Sequence, residues 1–308
     1  MSEGKQMKQM RANVLLFITA FIWGNAFVAQ SVGMDYVGAY TFLATRSIIG
    51  GIFLIPCMKF IKKLDENTAI KNKETRNTEK KIMILGGTFC GVILFIASAF
   101  QQIGIKYTSV GKSGFITALY IIIVPIMSIF LKKKVKNKIW ISVVLTLFGL
   151  YLLCIKENAA INKGDILMLL CAIFFSLHIL VVDYFSPKVD GVKMSCIQFF
   201  VCGIISTIAM FIFEEPNIGS VFEAYKPILY AGILSSGVGY TFQIIAQKDS
   251  EPTVASLIMS LESVFAVLGG WILLKQELTI KEISGCILIL FAIIIAQIPK
   301  SIDNNMKK

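Results

Sequence analysis

The chain alternates between long apolar blocks and short polar segments that carry most of its charge. A helix that crosses a hydrocarbon core of about 30 Å needs about 20 apolar residues. Ten blocks reach or approach this length: 14–33, 38–60, 82–103, 109–131, 139–156, 165–184, 194–213, 227–247, 253–274 and 280–299. The pattern predicts an all-α integral membrane protein with ten transmembrane helices.

The polar segments are too short to form a separate soluble domain, and the longest of them is 61–81. This segment is rich in Lys, Asn and Glu, so we expect a mobile loop outside the bilayer. Strands of a membrane β-barrel would alternate polar and apolar residues. The continuous apolar blocks exclude that architecture.

Composition supports a membrane protein, because 56% of the residues are hydrophobic and only 16% are charged. Soluble domains carry about 25% charged residues. The seven Cys all lie within or at the edge of apolar blocks, and none forms a CxxC pair. We interpret them as small packing residues, and we expect no metal site and no cofactor.

The net charge of +11 would suggest nucleic-acid binding in a soluble protein, but its distribution indicates membrane topology instead. With the N-terminus in the cytoplasm, 22 of the 30 Lys and Arg residues fall on the cytoplasmic side, seven fall on the other side, and Arg46 lies within a span. Positive residues accumulate on the cytoplasmic side. We therefore predict a multi-pass protein of the cytoplasmic membrane with both termini inside, and no nucleic-acid partner.

The two halves of the chain share one pattern. Residues 107–149 match 250–292 in hydropathy and in the placement of small residues. Since five is an odd number of spans, the second half must enter the membrane in the opposite direction. The pattern predicts two inverted five-helix repeats, at 12–156 and 164–299, an arrangement that recurs in secondary transporters with a site near the bilayer midplane.

Several short motifs occur in a fixed order along these blocks. They are Trp23-Gly24-Asn25-Ala26-Phe27, Arg46, Tyr107-Thr108-Ser109-Val110-Gly111, Pro125, Gly164-Asp165, Ser176-Leu177-His178-Ile179, Leu261-Glu262 and Glu277. Over about 12–300 this order resembles the EamA-type drug/metabolite transporter superfamily. The resemblance implies a transporter of small molecules, similar to exporters of amino acids, metabolites and drugs.

The chain departs from the family pattern at two positions. Ser263 follows the Glu of the ninth block where the family commonly has Pro, and Lys134 stands where the turn of the first half commonly ends in an acid. The family fold and general role are compatible with both changes. A detailed gating mechanism cannot be transferred from a relative, because these two positions differ.

Two ionisable residues inside spans are candidates for substrate binding or coupling. A charged group in a span is costly and indicates function by default. Glu262, near the centre of the ninth block, can take a proton or a cationic group, or it can be a structural carboxyl bonded to a neighbouring helix. His178, the only histidine, changes charge near neutral pH and suits a proton relay. A packed imidazole that donates to a carbonyl is its alternative.

Arg46 and several polar residues complete the candidates. The guanidinium can attract an anionic group or extend to the outer interface. Asn25 has the strongest case among the amides, because Gly24 permits close approach and Trp23 can form a cavity wall. Gln198 can bind substrate or join helices, as can three further glutamines, at 101, 102 and 243. Hydrogen bonding between helices is the commoner role of such residues.

The function that the sequence supports best is a secondary transporter that works by alternating access, with proton coupling as an option. We expect its partners to be a small-molecule substrate and the lipid bilayer, and a homodimer is compatible with the pattern. The sequence lacks the GxxxxGK[S/T] loop of ATP-driven transport. A lipid-carrier flippase is the alternative transporter. An intramembrane enzyme and a sensor or scaffold are less well supported, so we expect no enzymatic activity.

Overall fold

A computed structural model describes residues 3–64, 73–154, 162–275, 277 and 279–297. Across these ranges the regular structure is helical and contains no strand. The prediction of an all-α protein is confirmed.

The described residues of the first half form six helices. They are α1 (Glu3–Gly33), α2 (Ala39–Leu64), α3 (Lys73–Gly104), α4 (Val110–Thr117), α5 (Tyr120–Phe130) and α6 (Asn137–Cys154). The fourth predicted span is therefore two shorter helices, α4 and α5, in sequence.

The second half repeats this plan with further irregularities. Its helices are α7 (Lys163–Phe185), α8 (Gly191–Phe213), α9 (Ile218–Glu223), α10 (Tyr225–Leu229), α11 (Tyr240–Gln247), α12 (Pro252–Met259), α13 (Leu261–Leu274) and α14 (Ile280–Gln297). A 3-10 turn, Ser186–Lys188, follows α7. A π-helical segment, Tyr230–Gly239, joins α10 to α11. The eighth predicted span consists of α10, this segment and α11, and the ninth consists of α12 and α13.

Among the described residues, eight stretches are long and apolar enough to cross a membrane. They correspond to predicted spans one to four and six to nine. The two remaining predicted spans are α6 and α14, with 18 residues each. At about 1.5 Å per residue each is about 27 Å long, slightly less than the hydrocarbon core. For these two helices the membrane crossing stays a prediction.

The predicted loop 61–81 is wrong at both of its ends. Helix α2 continues to Leu64, and α3 begins at Lys73, within the charged segment. Hydropathy indicates where a helix leaves the bilayer. Lys and Glu are good helix formers, so the helix can extend beyond that point into water. Residues 65–72, the rest of that loop, lie outside the described residues.

The two halves pack against each other in symmetry-related pairs. Helix α2 packs along α8, and α6 packs along α14. Helix α3 lies against α7, just as α1 lies against the segment from α10 to α11. The contact of α1 with α13 has its counterpart in the contact of α7 with α4 and α5. This exchange of partners is the arrangement expected for two repeats. The limits 12–156 and 164–299 stay a prediction.

The helix interruptions in spans four and nine lie at equivalent positions. When the two halves are aligned at a constant offset of 143 residues, Thr117 corresponds to Ser260. Thr117 is the last residue of α4, and Ser260 separates α12 from α13. The Ser260 hydroxyl donates to the Leu257 carbonyl at 2.7 Å, and such local bonds compete with the helix. The sequence predicts a kink at Pro125, but the interruption lies upstream, at Ala118 and Leu119.

The bundle has two ends with different connections. We call the end with the start of α1 and the end of α14 the terminal end, and the opposite one the distal end. At the distal end Lys112 pairs with Asp165 at 2.6 Å. At the terminal end Lys133 pairs with Asp183, and Lys136 of the next turn pairs with Glu251 at 2.9 Å. The first two pairs join span four to α7 at both of its ends.

Candidate substrate cavity

A cavity lies between the two halves, beside both interrupted spans. Its empty volume is about 420 Å³, including the part that opens to solvent. Its walls come from α1, α2, α3, α4, α5, α7, the π-helical segment, α11 and α13. Both halves thus contribute, as expected for a site at the interface of two repeats.

The cavity extends from the distal ends of α1 and α3 to Gln243, about one turn from the terminal end of α11. Gln30 lies in the last turn of α1, and Gln101 lies in the last turn of α3, and both line the cavity. On the terminal side the helices are joined by buried hydrogen bonds. Thr19 donates to the Gly239 carbonyl at 3.2 Å, and Gln247 donates to the Ile179 carbonyl at 3.0 Å. These bonds join the helices at the terminal border of the cavity, where Ile179 forms part of its wall.

Glu262 is the acidic residue of the cavity wall. Its side chain is 3% exposed, and its carboxyl oxygen Oε1 accepts a hydrogen bond from the Tyr120 hydroxyl at 2.9 Å. Glu262 lies in the first turn of α13, where unpaired backbone N–H groups and the helix dipole favour a negative charge. The interruption after α12 places this helix start inside the bundle.

Ser263 makes a second link between the interrupted spans. Its hydroxyl donates to the Gly114 carbonyl in α4 at 2.9 Å. The two backbones are neighbours here, since a Cβ at Gly114 would be in van der Waals contact with the Ser263 Cα at 3.4 Å. Ser263, which stands where the family commonly has Pro, therefore joins span nine to span four next to Glu262.

Arg46 supplies the positive charge of the cavity wall. It lies on α2, is 3% exposed and lines the same cavity as Glu262. Its Nε has no hydrogen-bond partner among the described residues. A guanidinium that is buried and incompletely bonded suits an anionic ligand group such as a carboxylate.

Amide side chains line the remaining polar wall. Gln30, Gln101 and Gln243 are all buried and face the cavity. The Oε1 atoms of Gln30 and Gln243 lack hydrogen-bond partners among the described residues. Because buried polar atoms are normally paired, these acceptors suit donors of a bound solute or of water.

Trp23 and Tyr240 form an aromatic wall. Their ring centroids lie 4.5 Å apart, and both residues line the cavity. Gly239 accommodates the indole, because a Cβ there would lie 2.7 Å from Trp23 Nε1. The prediction that Trp23 can form a cavity wall agrees with this position.

His178 and Gln198 lie behind this wall. His178 Nε2 is 3.1 Å from Gln198 Oε1, and the imidazole meets the Tyr240 ring edge-on at 5.9 Å between centroids. Neither residue lines the cavity. The two candidates thus pair with each other across α7 and α8, and their functional roles stay predictions.

Asn25 points away from the cavity. Its Nδ2 donates to the Phe21 carbonyl of its own helix at 2.9 Å, and a Cβ at Gly269 would lie 2.9 Å from its Oδ1. The side chain therefore packs on the α1–α13 contact. A role in substrate binding stays a prediction without support from this geometry.

Sequence reasoning missed Tyr120, Tyr240 and Gln30. Aromatic and amide residues are frequent in membrane helices, and hydropathy does not distinguish those that face a cavity. One signal was available in the alignment of the two halves. At the offset of 143 residues, Tyr120 corresponds to Ser263, the residue directly after Glu262. Within the described part of the chain, no cluster of His, Cys, Asp or Glu is suited to hold a metal ion.

The long apolar helices, the two-repeat packing and the cavity with a buried Arg and Glu between the halves are the features of a polytopic membrane transporter. The family model of the EamA-like transporter family matches the chain twice, over residues 10–155 and 162–297. The chain belongs to this family, and the resemblance deduced from its motifs is confirmed.

Individual relatives agree with this assignment. An "Uncharacterized transporter" of Archaeoglobus fulgidus is 29% identical over 95% of this chain and 87% of its own length. The "Uncharacterized transporter YoaV" of Bacillus subtilis is 24% identical over 87% of this chain and 90% of its own length. A solved crystal structure with 15% identity superposes with a TM-score of 0.74 over 93% of this chain and 96% of that chain. At this identity the superposition shows a common fold.

Proposed function

We propose that the protein is a secondary transporter that exports small zwitterionic metabolites, such as amino acids, across the cytoplasmic membrane by alternating access. The observation that carries this proposal is the presence of Arg46 and Glu262 in the wall of one buried cavity. Arg46 would bind the substrate carboxylate, and Glu262 would bind its ammonium group. The aromatic wall formed by Trp23 and Tyr240 would contact the apolar part of the substrate.

Glu262 also suits coupling to a proton gradient. A carboxylate in the interior of a bundle is costly when it is charged and unpaired. Uptake of a proton or of a substrate cation relieves this cost, so the two would compete for one group. Such competition exchanges a proton for the substrate across the membrane.

The extent of the cavity bears on the transport cycle, because the cavity reaches the last turns of α1 and α3 at the distal end. With both termini in the cytoplasm, the distal end is the outer one, and the hydrogen bonds of Thr19 and Gln247 join helices on the cytoplasmic side. The structure would then correspond to an outward-directed state. Inverted repeats permit the opposite state when the two halves exchange conformations.

Efflux from proteoliposomes tests the function. Vesicles loaded with the twenty proteinogenic amino acids are given an inward proton gradient, and external amino acids are quantified by mass spectrometry. We expect the wild type to release at least one of them faster with the gradient than without it. Arg46→Gln should slow this release at least tenfold, since a charged partner of the substrate is lost. Arg11→Gln, at an exposed position, is the control.

Glu262→Gln separates coupling from structure. This variant keeps a hydrogen-bonding side chain but takes up no proton, so its efflux should no longer respond to the gradient. Glu262→Asp should retain part of the response. An unchanged response in Glu262→Gln would contradict proton coupling and leave Glu262 as a packing group. Efflux of none of the twenty amino acids would contradict the proposed substrate class.

Reporter fusions at the C-terminus test the orientation. We expect a cytoplasmic reporter to be active and a periplasmic or extracellular reporter to be silent, because the predicted topology assigns 22 of the Lys and Arg residues to the cytoplasmic side and seven to the other side. The opposite result would make the distal end cytoplasmic and contradict the assignment of the outward-directed state.

A further inference from the structure

The hydrogen bond between Tyr120 and Glu262 joins the two interrupted spans at their equivalent breaks. Tyr120 is the first residue of α5, and Glu262 is the second residue of α13. Both side chains are buried and line the cavity. The bond thus connects the two halves of the protein at the site where the substrate cation is expected.

We propose that Tyr120 is a positioning residue that occupies the cation site of Glu262 while the cavity is empty, and that the substrate ammonium group displaces its hydroxyl. This inference rests on the proposed function. It adds a competition between an internal donor and the substrate, and it assigns a role to a residue that neither motif nor charge singled out.

The chemistry favours such an exchange. A carboxyl in a cavity of low polarity needs a hydrogen-bond donor, and the phenol supplies one at 2.9 Å. An ammonium group binds a carboxylate more strongly than a neutral hydroxyl does, because both partners are then charged. The substrate therefore outcompetes Tyr120, while the empty cavity keeps its acid paired.

Displacement of Tyr120 would also change how the two spans are held together. The Ser263–Gly114 bond is a second hydrogen bond between spans four and nine. Its acceptor is a backbone carbonyl, and neither Ser263 nor Gly114 lines the cavity. Loss of the Tyr120 bond would leave the Ser263–Gly114 contact in place, so that substrate binding would remove one hydrogen bond between spans four and nine and keep another.

Chemical labelling of the carboxyl tests the first part of the proposal without any substrate. Dicyclohexylcarbodiimide, an apolar reagent for buried carboxyl groups, is applied to the purified wild type, Tyr120→Phe and Glu262→Gln, and the labelled peptide is quantified by mass spectrometry. We expect Tyr120→Phe to react about fivefold faster, because the hydroxyl no longer occupies Oε1. Glu262→Gln should give no label at this position.

Tyr230→Phe is the matched control. The Tyr230 hydroxyl also makes a bond between helices, to the Ile22 carbonyl at 3.1 Å, but it does not line the cavity. This variant should label at the wild-type rate. Equal labelling rates in the wild type and Tyr120→Phe would overturn the proposal.

Transport kinetics test the competition itself. For an amino acid released by the wild type, Tyr120→Phe should lower KM about fivefold without raising the maximal rate, since the substrate no longer displaces a hydroxyl. An exclusively structural role of Tyr120 would leave KM unchanged or raise it, and that result would also overturn the proposal.

The failures of the two proposals are distinguishable. Normal gradient-driven efflux by Glu262→Gln contradicts the proposed function of the cavity. Loss of efflux in Glu262→Gln, together with wild-type labelling and KM in Tyr120→Phe, contradicts the role of Tyr120 alone. Elution of each variant as a single symmetric peak in detergent confirms that the compared proteins are folded.

Discussion

Lys132 and Lys275 lie 143 residues apart in the sequence, and both adopt a left-handed backbone conformation, with φ of 59° and 52°. Each follows the second helix of an interrupted span, α5 or α13. They are the two non-glycine residues with positive φ in the described part of the chain. The two repeats thus end equivalent spans in the same way, although few residues are identical between them.

Glycine at these two helix ends should stabilise the protein. A left-handed conformation is unfavourable for Lys, whereas Gly adopts it without steric cost. We expect Lys132→Gly and Lys275→Gly each to add about 0.5–1 kcal/mol to the free energy of unfolding. The measurement is the thermal unfolding midpoint in detergent. Lys134→Gly, where φ is not positive, is the control and should not raise the midpoint. A lower midpoint in both Gly variants would contradict the role of backbone strain.

Gly24 permits the close contact between α1 and the start of α13. A Cβ at this position would lie 2.6 Å from the Glu262 carbonyl oxygen and 2.8 Å from the Ala266 nitrogen. Since both neighbours are backbone atoms, Gly24→Ala should push the helices apart and cost about 1–3 kcal/mol. Gly4→Ala, with nothing within 4 Å, should leave the unfolding midpoint unchanged or raise it. Equal midpoints in the two variants would show that the contact adjusts without cost.

Trp23 and Asn25 should differ in their effects on transport although they are two residues apart. Trp23 lines the cavity beside Tyr240, whereas Asn25 bonds to its own helix. We expect Trp23→Ala to raise KM about fivefold through the lost aromatic contact, and Asn25→Ala to leave KM unchanged. Efflux measured over a range of internal substrate concentrations checks both values. A larger rise in KM for Asn25→Ala would place Asn25 in contact with the substrate.

Glu214 caps the start of α2 from the end of α8. Its carboxylate accepts bonds from the backbone N–H groups of Tyr40 and Thr41, both at 2.8 Å, and from the Thr41 hydroxyl at 2.7 Å. Gly38, which precedes α2, has no side chain to do this, and a Cβ there would collide with the carboxyl. The cap therefore joins the two halves at the distal end.

Removal of this cap should destabilise the fold. Glu214→Ala leaves the first N–H groups of α2 without their partner, and we expect a loss of about 1–2 kcal/mol, because the site is half-buried. Glu215→Ala changes the adjacent exposed acid and serves as the control, with an unchanged unfolding midpoint. A comparable loss in both variants would indicate a general effect of negative charge at this end.

Hydropathy and charge were sufficient to predict the class of fold and part of the site. Glu262 and Arg46 stood out because ionisable side chains are costly in the membrane interior, and both line the cavity. Tyr120 and Gln30 did not stand out, since polar aromatic and amide residues are compatible with packing anywhere in a helical bundle. The rotation and tilt of each helix determine whether such a residue faces a cavity, and hydropathy contains little information about either.

Helix interruptions were the other feature that the sequence did not reveal. The apolar block 109–131 continues through Ala118 and Leu119, and Pro125 suggested a later kink. The interruptions are maintained by contacts between distant segments, such as Tyr120 with Glu262 and Ser263 with Gly114. His178 and Gln198 lie twenty residues apart on separate helices. The sequence did not reveal that these two side chains pair with each other.

The sequence by itself determined that the chain crosses a membrane repeatedly as two related halves, because apolar length and charge placement are set by the energetics of transfer into lipid. The tertiary structure alone decided that two helices break at equivalent positions, that the carboxyl of one break is paired with the phenol of the other, and that Asn25 lies outside the cavity while Tyr120 lies within it. These features depend on close packing and hydrogen bonds between helices, whose partners are more than a hundred residues apart in the chain.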